Sequence, residues 1–330
     1  METNLRPLTL GEILDRTAQL YRSNFLLFAG ISAVYAGVLL VVALLQIGLG
    51  ETLRLLHMTD RLQWLTWTAV GMAFLVMFLF SGMAIAANNR AVAWVHLGEP
   101  ASIRAAYKCI LPRLGRYLWL MFIAFVVVWT PLVLVYCGYV GMIAFYLPKG
   151  FLAHPGHANQ QAAMTFALAS LAFFLLLIPA GIYAILMGLR YALAVPACVV
   201  EDLKARQALR RSIELSKGSR GRIFLLGLLI AVIQIGLAFL AQVFFVVAAV
   251  KAHGELPVWV RVLQQVVGFF TNTFIGPMYA TGLTLFYYDQ RVRKEGYDIE
   301  WMMQAAGLNT VATPPGGDGP AAPGPEEVQT

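Results

Sequence analysis

Apolar residues run through this chain in six long stretches that contain no Asp, Glu, Lys or Arg. Each stretch exceeds the ~20 residues that an α-helix needs to cross the ~30 Å hydrocarbon core of a bilayer. Because lipid offers the backbone no hydrogen-bond partners, the pattern predicts that each stretch is a membrane-spanning helix. The predicted spans are about residues 25–50, 62–89, 117–148, 158–189, 223–250 and 262–288. The sequence therefore predicts an all-α, polytopic membrane helix bundle over residues 1–305.

A short amphipathic segment precedes each pair of predicted spans, at about residues 8–22, 100–111 and 203–217. In each segment, apolar side chains recur at helical spacing and basic side chains fill the remaining positions. Thr9 and Glu12 at the start of the first segment have the pattern of a capping box. A basic amphipathic helix beside a span is expected to lie in the membrane interface, although packing beneath the bundle would need the same pattern. We interpret the chain as three pseudo-repeats, each an interfacial helix followed by a helix pair.

The position of the charges explains the formal net charge of +7 at pH 7. With six spans, 19 of the 24 Lys and Arg residues fall on one side of the membrane and 5 on the other. This positive-inside asymmetry predicts that both termini are cytoplasmic, where the cations meet anionic lipid headgroups. The basic excess therefore requires no nucleic-acid partner. The first residues mix acids with bases and lack the early apolar core of a cleavable signal peptide, so we expect the first span to be retained.

Proline and glycine mark further features of the chain. Pro131, Pro179 and Pro277 lie inside predicted spans, and each is predicted to kink its helix. Residues 306–330 are rich in Ala, Gly and Pro and are predicted to form a disordered cytoplasmic tail.

Three patches are more specific than the hydrophobic pattern: LTLGEILD at residues 8–15, ALRRSIELSKG at 208–218 with RIF at 222–224, and LFYYDQRVRKEGYD at 285–298. With them the chain resembles bacterial integral membrane proteins of the glycerophosphoryl diester phosphodiesterase membrane-domain family. The resemblance implies a helical membrane fold in the bacterial cytoplasmic (inner) membrane. It implies no reaction, because the family name comes from members in which such a region is fused to a soluble phosphodiesterase barrel. The connections between the predicted spans are too short to hold that barrel, so we expect no such activity.

No catalytic or metal-binding constellation emerges from the remaining residues. The predicted span cores contain no Asp, Glu, His or Arg, which disfavours transport driven by a buried carboxylate. His154 and His157 form the only histidine pair, and no Cys or carboxylate beside them completes a tetrahedral site. Asp289 could pair with Arg210 or Arg211 and lock the third amphipathic helix to the last span. Acid–base catalysis would need a second converging group, so we predict a non-enzymatic protein without cofactor or metal.

Two sets of residues remain candidates for function. Charged side chains at the predicted cytoplasmic face would stabilise the structure or contact lipid: Arg104, Lys108, Arg206, Arg210, Arg211, Lys217, Asp289, Arg291 and Arg293. Polar side chains recur every seven residues in the sixth predicted span, at Gln265, Asn272 and Tyr279. This polar stripe would line a solute path or bond neighbouring helices, and both roles use the same residue types.

Two functions of different classes follow from these candidates. The first is a scaffold or accessory subunit that organises lipid, or a partner membrane protein of unknown identity, through the basic interfacial helices. The second is a transporter or exporter of a small or lipid-like solute that uses the kinked spans and the polar stripe. The missing catalytic constellation ranks a membrane enzyme below both. The sequence favours the scaffold.

Overall fold

The computed structural model describes residues 6–58, 61–150, 160–251 and 256–297, together with residues 299 and 303. Within these residues the chain is helical and contains no strand, which confirms the all-α prediction. The helices are α1 (Leu10–Ser23), α2 (Phe25–Leu55), α3 (Gln63–His96), α4 (Ile103–Ile110), α5 (Leu114–Gly150), α6 (Gln160–Tyr191), α7 (Ala194–Val200), α8 (Ala205–Ser216), α9 (Arg220–Lys251), α10 (Val258–Ile275) and α11 (Pro277–Glu295). A 3-10 helix, Leu111–Arg113, joins α4 to α5. The histidine pair and the tail predicted for residues 306–330 lie outside the described residues.

Five segments of the described chain are long and apolar enough to cross a membrane. They are Phe25–Leu55, Gln63–His96, Ile103–Ala144, Phe166–Val200 and Arg220–Lys251. The third segment contains α4, the 3-10 helix and most of α5, and the fourth contains most of α6 together with α7. These helices fit a multi-pass membrane protein, and each one includes most of a predicted span.

The sixth predicted span, residues 262–288, is two helices and not one. Helices α10 and α11 meet at Gly276, which keeps helical torsion angles (φ −51°, ψ −46°). Pro277 has no N–H, so the helical hydrogen bond to the carbonyl of Thr273 cannot form and α10 ends there. By contrast, Pro131 and Pro179 lie inside the continuous helices α5 and α6.

The three amphipathic segments form the short helices α1, α4 and α8. At the start of α1, the Thr9 hydroxyl accepts a hydrogen bond from the Glu12 N–H at 3.3 Å, and the Glu12 carboxylate accepts one from the Thr9 N–H at 2.7 Å. This reciprocal pair confirms the predicted capping box, and its hydrogen bonds hold the pKa of Glu12 below the ordinary value. Each short helix buries its apolar side, as Ile13, Ala106 and Ala208 illustrate.

Helix α11 passes through the buried centre of one end of the molecule. Every residue from 280 to 290 is buried, and α1, α3, α7, α8 and α9 surround this stretch. Helix α4 lies at the same end, because the Tyr107 hydroxyl donates to the Ile31 carbonyl near the start of α2 at 2.7 Å. We call this end, with α1, α4, α7, α8 and the second half of α11, the basic end.

Candidate functional site

Asp289 of α11 has a side chain with no exposed surface. Its carboxylate accepts hydrogen bonds from the Leu8 backbone N–H at 2.8 Å and from Nε of Arg293 at 3.0 Å. Arg222 of α9 donates to the same carboxylate at 3.3 Å. Arg293 and Arg222 also donate to the Leu8 carbonyl oxygen, at 2.6 and 3.0 Å. A buried carboxylate needs such partners, so Asp289 ties the N-terminal segment to α9 and α11.

Glu201, which follows α7, is the centre of a second ionic group. Its carboxylate accepts two hydrogen bonds from Nε of Arg211, at 3.0 Å each, and one from the Tyr287 hydroxyl at 2.5 Å. Arg211 and Arg291 also donate to Glu295, at 2.7 and 3.2 Å. Burial alone would raise the pKa of Glu295, but the hydrogen bonds from both arginines lower it. Burial alone would lower the pKa of Arg211, but its bonds to Glu295 and Glu201 raise it. The group joins α7, α8 and α11.

The predicted pairing of Asp289 with Arg210 or Arg211 is wrong. Arg211 belongs to the Glu201 group, and Arg210 is exposed. The amphipathic pattern identifies the buried side of α8, but the rotation and height of α8 against α11 decide which arginine meets which carboxylate. The expected attachment of α8 to the last helix does exist, through the bond from Arg211 to Glu295.

The other basic candidates of the short helices lie on the surface. Arg104 and Lys108 are exposed on α4, and Arg206, Arg210 and Lys217 are exposed on or directly after α8. None of the five forms an ion pair within the described part of the chain. Exposed cations opposite a buried apolar side are the arrangement expected of an interfacial helix.

A cavity of about 330 Å³ opens at the basic end, between the ends of α3, α7 and α11. Arg90 and Trp94 line it from α3, and the guanidinium carbon of Arg90 lies 5.2 Å from the centre of the Trp94 ring. Arg90 also donates through Nη1 to the Val199 carbonyl oxygen at 3.1 Å. Tyr288 lines the cavity from α11, and Glu99 lines it from the segment that follows α3. The cavity thus combines cationic, acidic and aromatic side chains.

Two buried polar atoms of residues that line this cavity have no hydrogen-bond partner among the described residues. They are Nε of Arg90 and the hydroxyl of Tyr288. Tyr288 is only 1% exposed, and its ring centre lies 4.9 Å from that of His96. Buried polar groups are nearly always hydrogen-bonded, so these two groups are exceptions at the basic end.

The junction of α10 and α11 frees main-chain carbonyls that other helices satisfy. The Tyr21 hydroxyl of α1 donates to the Phe274 carbonyl, and Nε2 of Gln234 in α9 donates to the Ile275 carbonyl at 3.1 Å. The buried hydroxyl of Thr273 has no partner within the described chain. A helix break in lipid is tolerated where neighbouring side chains satisfy the backbone in this way.

The predicted polar stripe of the sixth span is divided by this junction. Gln265 and Asn272 lie in α10, and Tyr279 lies in α11. Asn272 and Tyr279 are exposed, and Asn272 donates to a carbonyl of its own helix at 2.9 Å. Gln264, which is not part of the stripe, makes the interhelical bond and donates to Gln242 of α9 at 3.3 Å.

Sequence reasoning missed several residues that hold this end together, among them Glu201, Arg222 and Tyr287, and it missed the cavity residue Tyr288. The tyrosines directly precede Asp289, which was a usable signal. Aromatic side chains at the end of a span are also typical of simple interfacial anchors, so the signal was ambiguous.

The described residues contain no group of three His, Cys, Asp or Glu side chains that could hold a metal ion. No family model matches the chain, and neither a curated protein nor a solved structure matches it. The resemblance to the glycerophosphoryl diester phosphodiesterase membrane-domain family therefore stays a prediction.

Proposed function

We propose that this chain is a non-enzymatic, multi-pass protein of the bacterial cytoplasmic membrane that organises anionic lipid or partner membrane proteins at its basic end. The observation that carries the proposal is the construction of α4 and α8, whose apolar sides are buried in the bundle while five cations are exposed. Arg211 attaches α8 to Glu295 of α11, and the Tyr107 hydroxyl attaches α4 to the Ile31 carbonyl of α2. Each Lys or Arg near an anionic membrane surface contributes about 1 kcal/mol of attraction.

The proposal includes a finer architecture. Helices α10 and α11 together make a sixth crossing, and the unit of one short helix and two crossings occurs three times. The basic end holds 19 of the 24 Lys and Arg residues, which supports its placement, with both termini, in the cytoplasm. The family resemblance supports the bacterial location.

Charge reversal on α8 tests the proposal. Arg206→Glu combined with Arg210→Glu changes two exposed cations that form no ion pair in the described chain, so the fold should survive. We expect the variant to retain far fewer anionic lipids than the wild type when gently extracted protein is analysed by native mass spectrometry. Loss of two contacts of about 1 kcal/mol each predicts roughly thirty-fold weaker association.

Arg61→Glu combined with Lys251→Glu is the matched control, because it makes the same change in net charge at the opposite end of the bundle. This control should retain lipid as the wild type does. Identical lipid retention in both double variants would contradict a lipid role for α8. A stoichiometric protein partner that is lost only from the α8 variant would identify the chain as an accessory subunit.

A transporter of a small or lipid-like solute is the second candidate, and the junction at Gly276 favours it. Discontinuous helices form binding sites in many transporters. Asn272 and Tyr279 are exposed on either side of the junction. A solute that raises the unfolding temperature of the wild type but not of Asn272→Leu would favour transport. A rise that persists in the variant would place the solute elsewhere.

A further inference from the structure

Helix α10 has two sides that are at least partly exposed, and they differ in polarity. The apolar side consists of residues that recur at helical spacing: Trp259, Leu263, Phe270 and Phe274. The polar side contains Arg261, Gln265, Gly268 and Asn272, which recur at the same kind of spacing. Phe270 and Asn272 are both exposed, and they point about 200° apart around the helix. The apolar side suits contact with lipid, and the polar side does not.

Helices α9 and α2 flank α10 and show how its two sides are oriented. Gln264 of α10 donates to Gln242 of α9 at 3.3 Å. Phe269 of α10 points toward α2, where a Cβ atom at Gly37 would lie 3.9 Å from Cε2 of its ring. Gln264 and Phe269 point about 140° apart around α10. The narrower arc between them contains Asn272 and the wider arc contains the apolar side, so the three helices curve around the polar side.

The other long helices continue this curve. Helix α2 contacts α3, α3 contacts α5, α5 contacts α6, and α6 contacts α9. Together with α10 these helices form a closed ring, and the polar side of α10 faces its interior. At the basic end α11 fills the interior, since every residue from 280 to 290 is buried. Tyr279, directly before that stretch, is 42% exposed, so the filling by α11 stops there.

Asn272 lies near the middle of the uncharged part of the bundle. Gln234 of α9 donates to the carbonyl of Ile275, which is one turn from Asn272. Along α9, Gln234 lies about 18 Å from Arg222 and about 26 Å from Lys251, with no charged residue between them. Within the described chain the Asn272 amide bonds only to a carbonyl of its own helix. Hydrocarbon offers an exposed amide no hydrogen bond, so this depth calls for water beside Asn272.

We propose that the polar side of α10 faces a water-filled crevice inside the ring of helices. The crevice opens at the end of the molecule opposite the basic end and stops at Tyr279. Water supplies the hydrogen bonds that Asn272 does not find in the protein. Arg261, nearer the open end, is paired with Glu51 of α2 and adds no net charge to the crevice. The buried residues of α11 close the crevice toward the basic end.

This inference goes beyond the proposed function and does not rest on it. The exposed cations of α4 and α8 lie on other helices than the crevice. Failure of the α8 experiment would therefore leave the crevice intact, and failure of the crevice experiment would leave the lipid contacts of α8 intact. Entry of water also needs no transported solute. The inference requires only that the ring lies in a membrane, which five of its helices are long and apolar enough to cross.

The reaction of single cysteines with a membrane-impermeant methanethiosulfonate reagent tests the inference. The background is the full chain with its three native cysteines replaced by alanine, in membrane vesicles of both orientations. We expect Asn272→Cys to react about ten-fold faster or more than Phe270→Cys, because the reactive thiolate forms in water and not in lipid. Phe270→Cys is the matched control on the apolar side of the same helix. Tyr279→Cys should also react, and it provides a second position if Asn272→Cys does not fold.

Two further cysteine variants mark the ends of the molecule. Lys217 at the basic end and Lys251 at the far end of α9 are both exposed. Asn272→Cys should react in the vesicles in which Lys251→Cys reacts, and it should be protected in those in which only Lys217→Cys reacts. Reaction from the side of Lys217→Cys would overturn the direction of the opening. No reaction of either crevice variant, or equally fast reaction of Phe270→Cys, would overturn the crevice itself.

A second copy of the chain is the competing occupant of the polar side, because an asparagine amide can hydrogen-bond to its own copy across a two-fold axis. Copper–phenanthroline oxidation of Asn272→Cys in the same vesicles distinguishes the two. We expect no disulfide-linked dimer, since the polar side lies inside the ring and a second chain cannot reach it. A dimer linked through position 272 would show that protein covers this side, and the inference would fail.

Discussion

The α5–α6 pair and helix α11 differ in which side chains they bury. In the most apolar 18-residue windows of the spans that contain α5 and α6, only 6% of the residues are buried, compared with 28% in α2. Large aromatic side chains of α5 are exposed, including Trp129 at 49% and Tyr136 at 61%. In α11 every residue from 280 to 290 is buried, and these include Asp289 and Gln290.

The more apolar region is thus the more exposed one. An apolar side chain gains little by leaving acyl chains for a protein interior, so hydrogen bonds and close packing decide which helices meet. Helix α11 supplies both. Thr284 donates to Asn89 of α3 at 2.5 Å, and a Cβ atom at Gly282 would lie 2.7 Å from Cδ1 of Ile230 in α9. Interhelical hydrogen bonds and the close approach at Gly282, and not hydropathy, distinguish this buried helix.

Asp289→Asn should have the largest effect. The neutral amide can no longer neutralise Arg222 and Arg293, and each lost hydrogen bond to a charged group costs about 1.5–3 kcal/mol. We expect a large fall in the free energy of unfolding, measured by denaturant titration in detergent. Glu214→Gln at an exposed position of α8 is the control and should have no effect. Equal stability of Asp289→Asn and the wild type would show that the ion pairs of Asp289 do not stabilise the buried end of α11.

Glycine substitutions compare the two regions directly. Gly282→Leu overfills the contact of α11 with α9, which should cost about 1–3 kcal/mol in the free energy of unfolding. Gly138→Leu in α5 meets open space, since no atom lies within 4 Å of its added Cβ. The second variant should be at least as stable as the wild type, because glycine is a poor helix former. Similar losses in both variants would show that the α5–α6 pair is packed as tightly as α11.

Two threonine substitutions compare α11 with α5 again, and their expected effects on stability are smaller. Thr284→Val removes the interhelical hydrogen bond to Asn89 and should cost roughly 0.6–2 kcal/mol. Thr130→Val in α5 removes only a bond to the Val126 carbonyl of its own helix and should be nearly neutral. Thermal unfolding of the two variants side by side measures the difference. An unchanged unfolding temperature in Thr284→Val would mean that this interhelical bond does not contribute to the stability of the fold.

The smallest expected effect is a loss of stability at low pH that is caused by one carboxylate of the basic end. Hydrogen bonds from Arg211 and Arg291 hold the pKa of Glu295 below its ordinary value of 4.5, against the effect of burial. Ionised Glu295 therefore stabilises the fold fully above that value, and the contribution is lost as pH falls through the lowered pKa. Unfolding temperatures between about pH 6 and pH 3 should fall less in Glu295→Gln than in the wild type. The side chain is 28% exposed, so screening keeps the effect small.

Helices α5 and α6 contain no Asp or Glu, so they supply no carboxylate of their own to this acid dependence. An identical pH dependence in the wild type and Glu295→Gln would assign the effect to another group.

The sequence predicted helices well because helical periodicity and long apolar runs are local properties. The capping box of Thr9 and Glu12 was predictable for the same reason. The division of the sixth span was not, although Pro277 was visible. Pro131 stays inside a continuous helix, whereas at Pro277 the side chains of Tyr21 and Gln234 satisfy freed carbonyls and permit a break.

The candidate site was predicted in part. Asp289 was expected to form an ion pair with an arginine of α8, whereas its observed partners, Arg222 and Arg293, lie in α9 and in its own helix. The cavity was not predicted at all. Tyr288 lies far from Arg90 and Glu99 in the chain, and the three residues share no local pattern.

The sequence by itself determined which segments are helical, which are apolar enough for a membrane, and at which end the cations collect. These properties follow from composition and from the spacing of side chains along one helix. Only the tertiary structure decided which polar groups meet, because the rotation and depth of each helix depend on packing against its neighbours. The pairing of Asp289 with Arg222, the exposure of Arg210 and the meeting of Arg90 with Tyr288 at one cavity are all consequences of that packing.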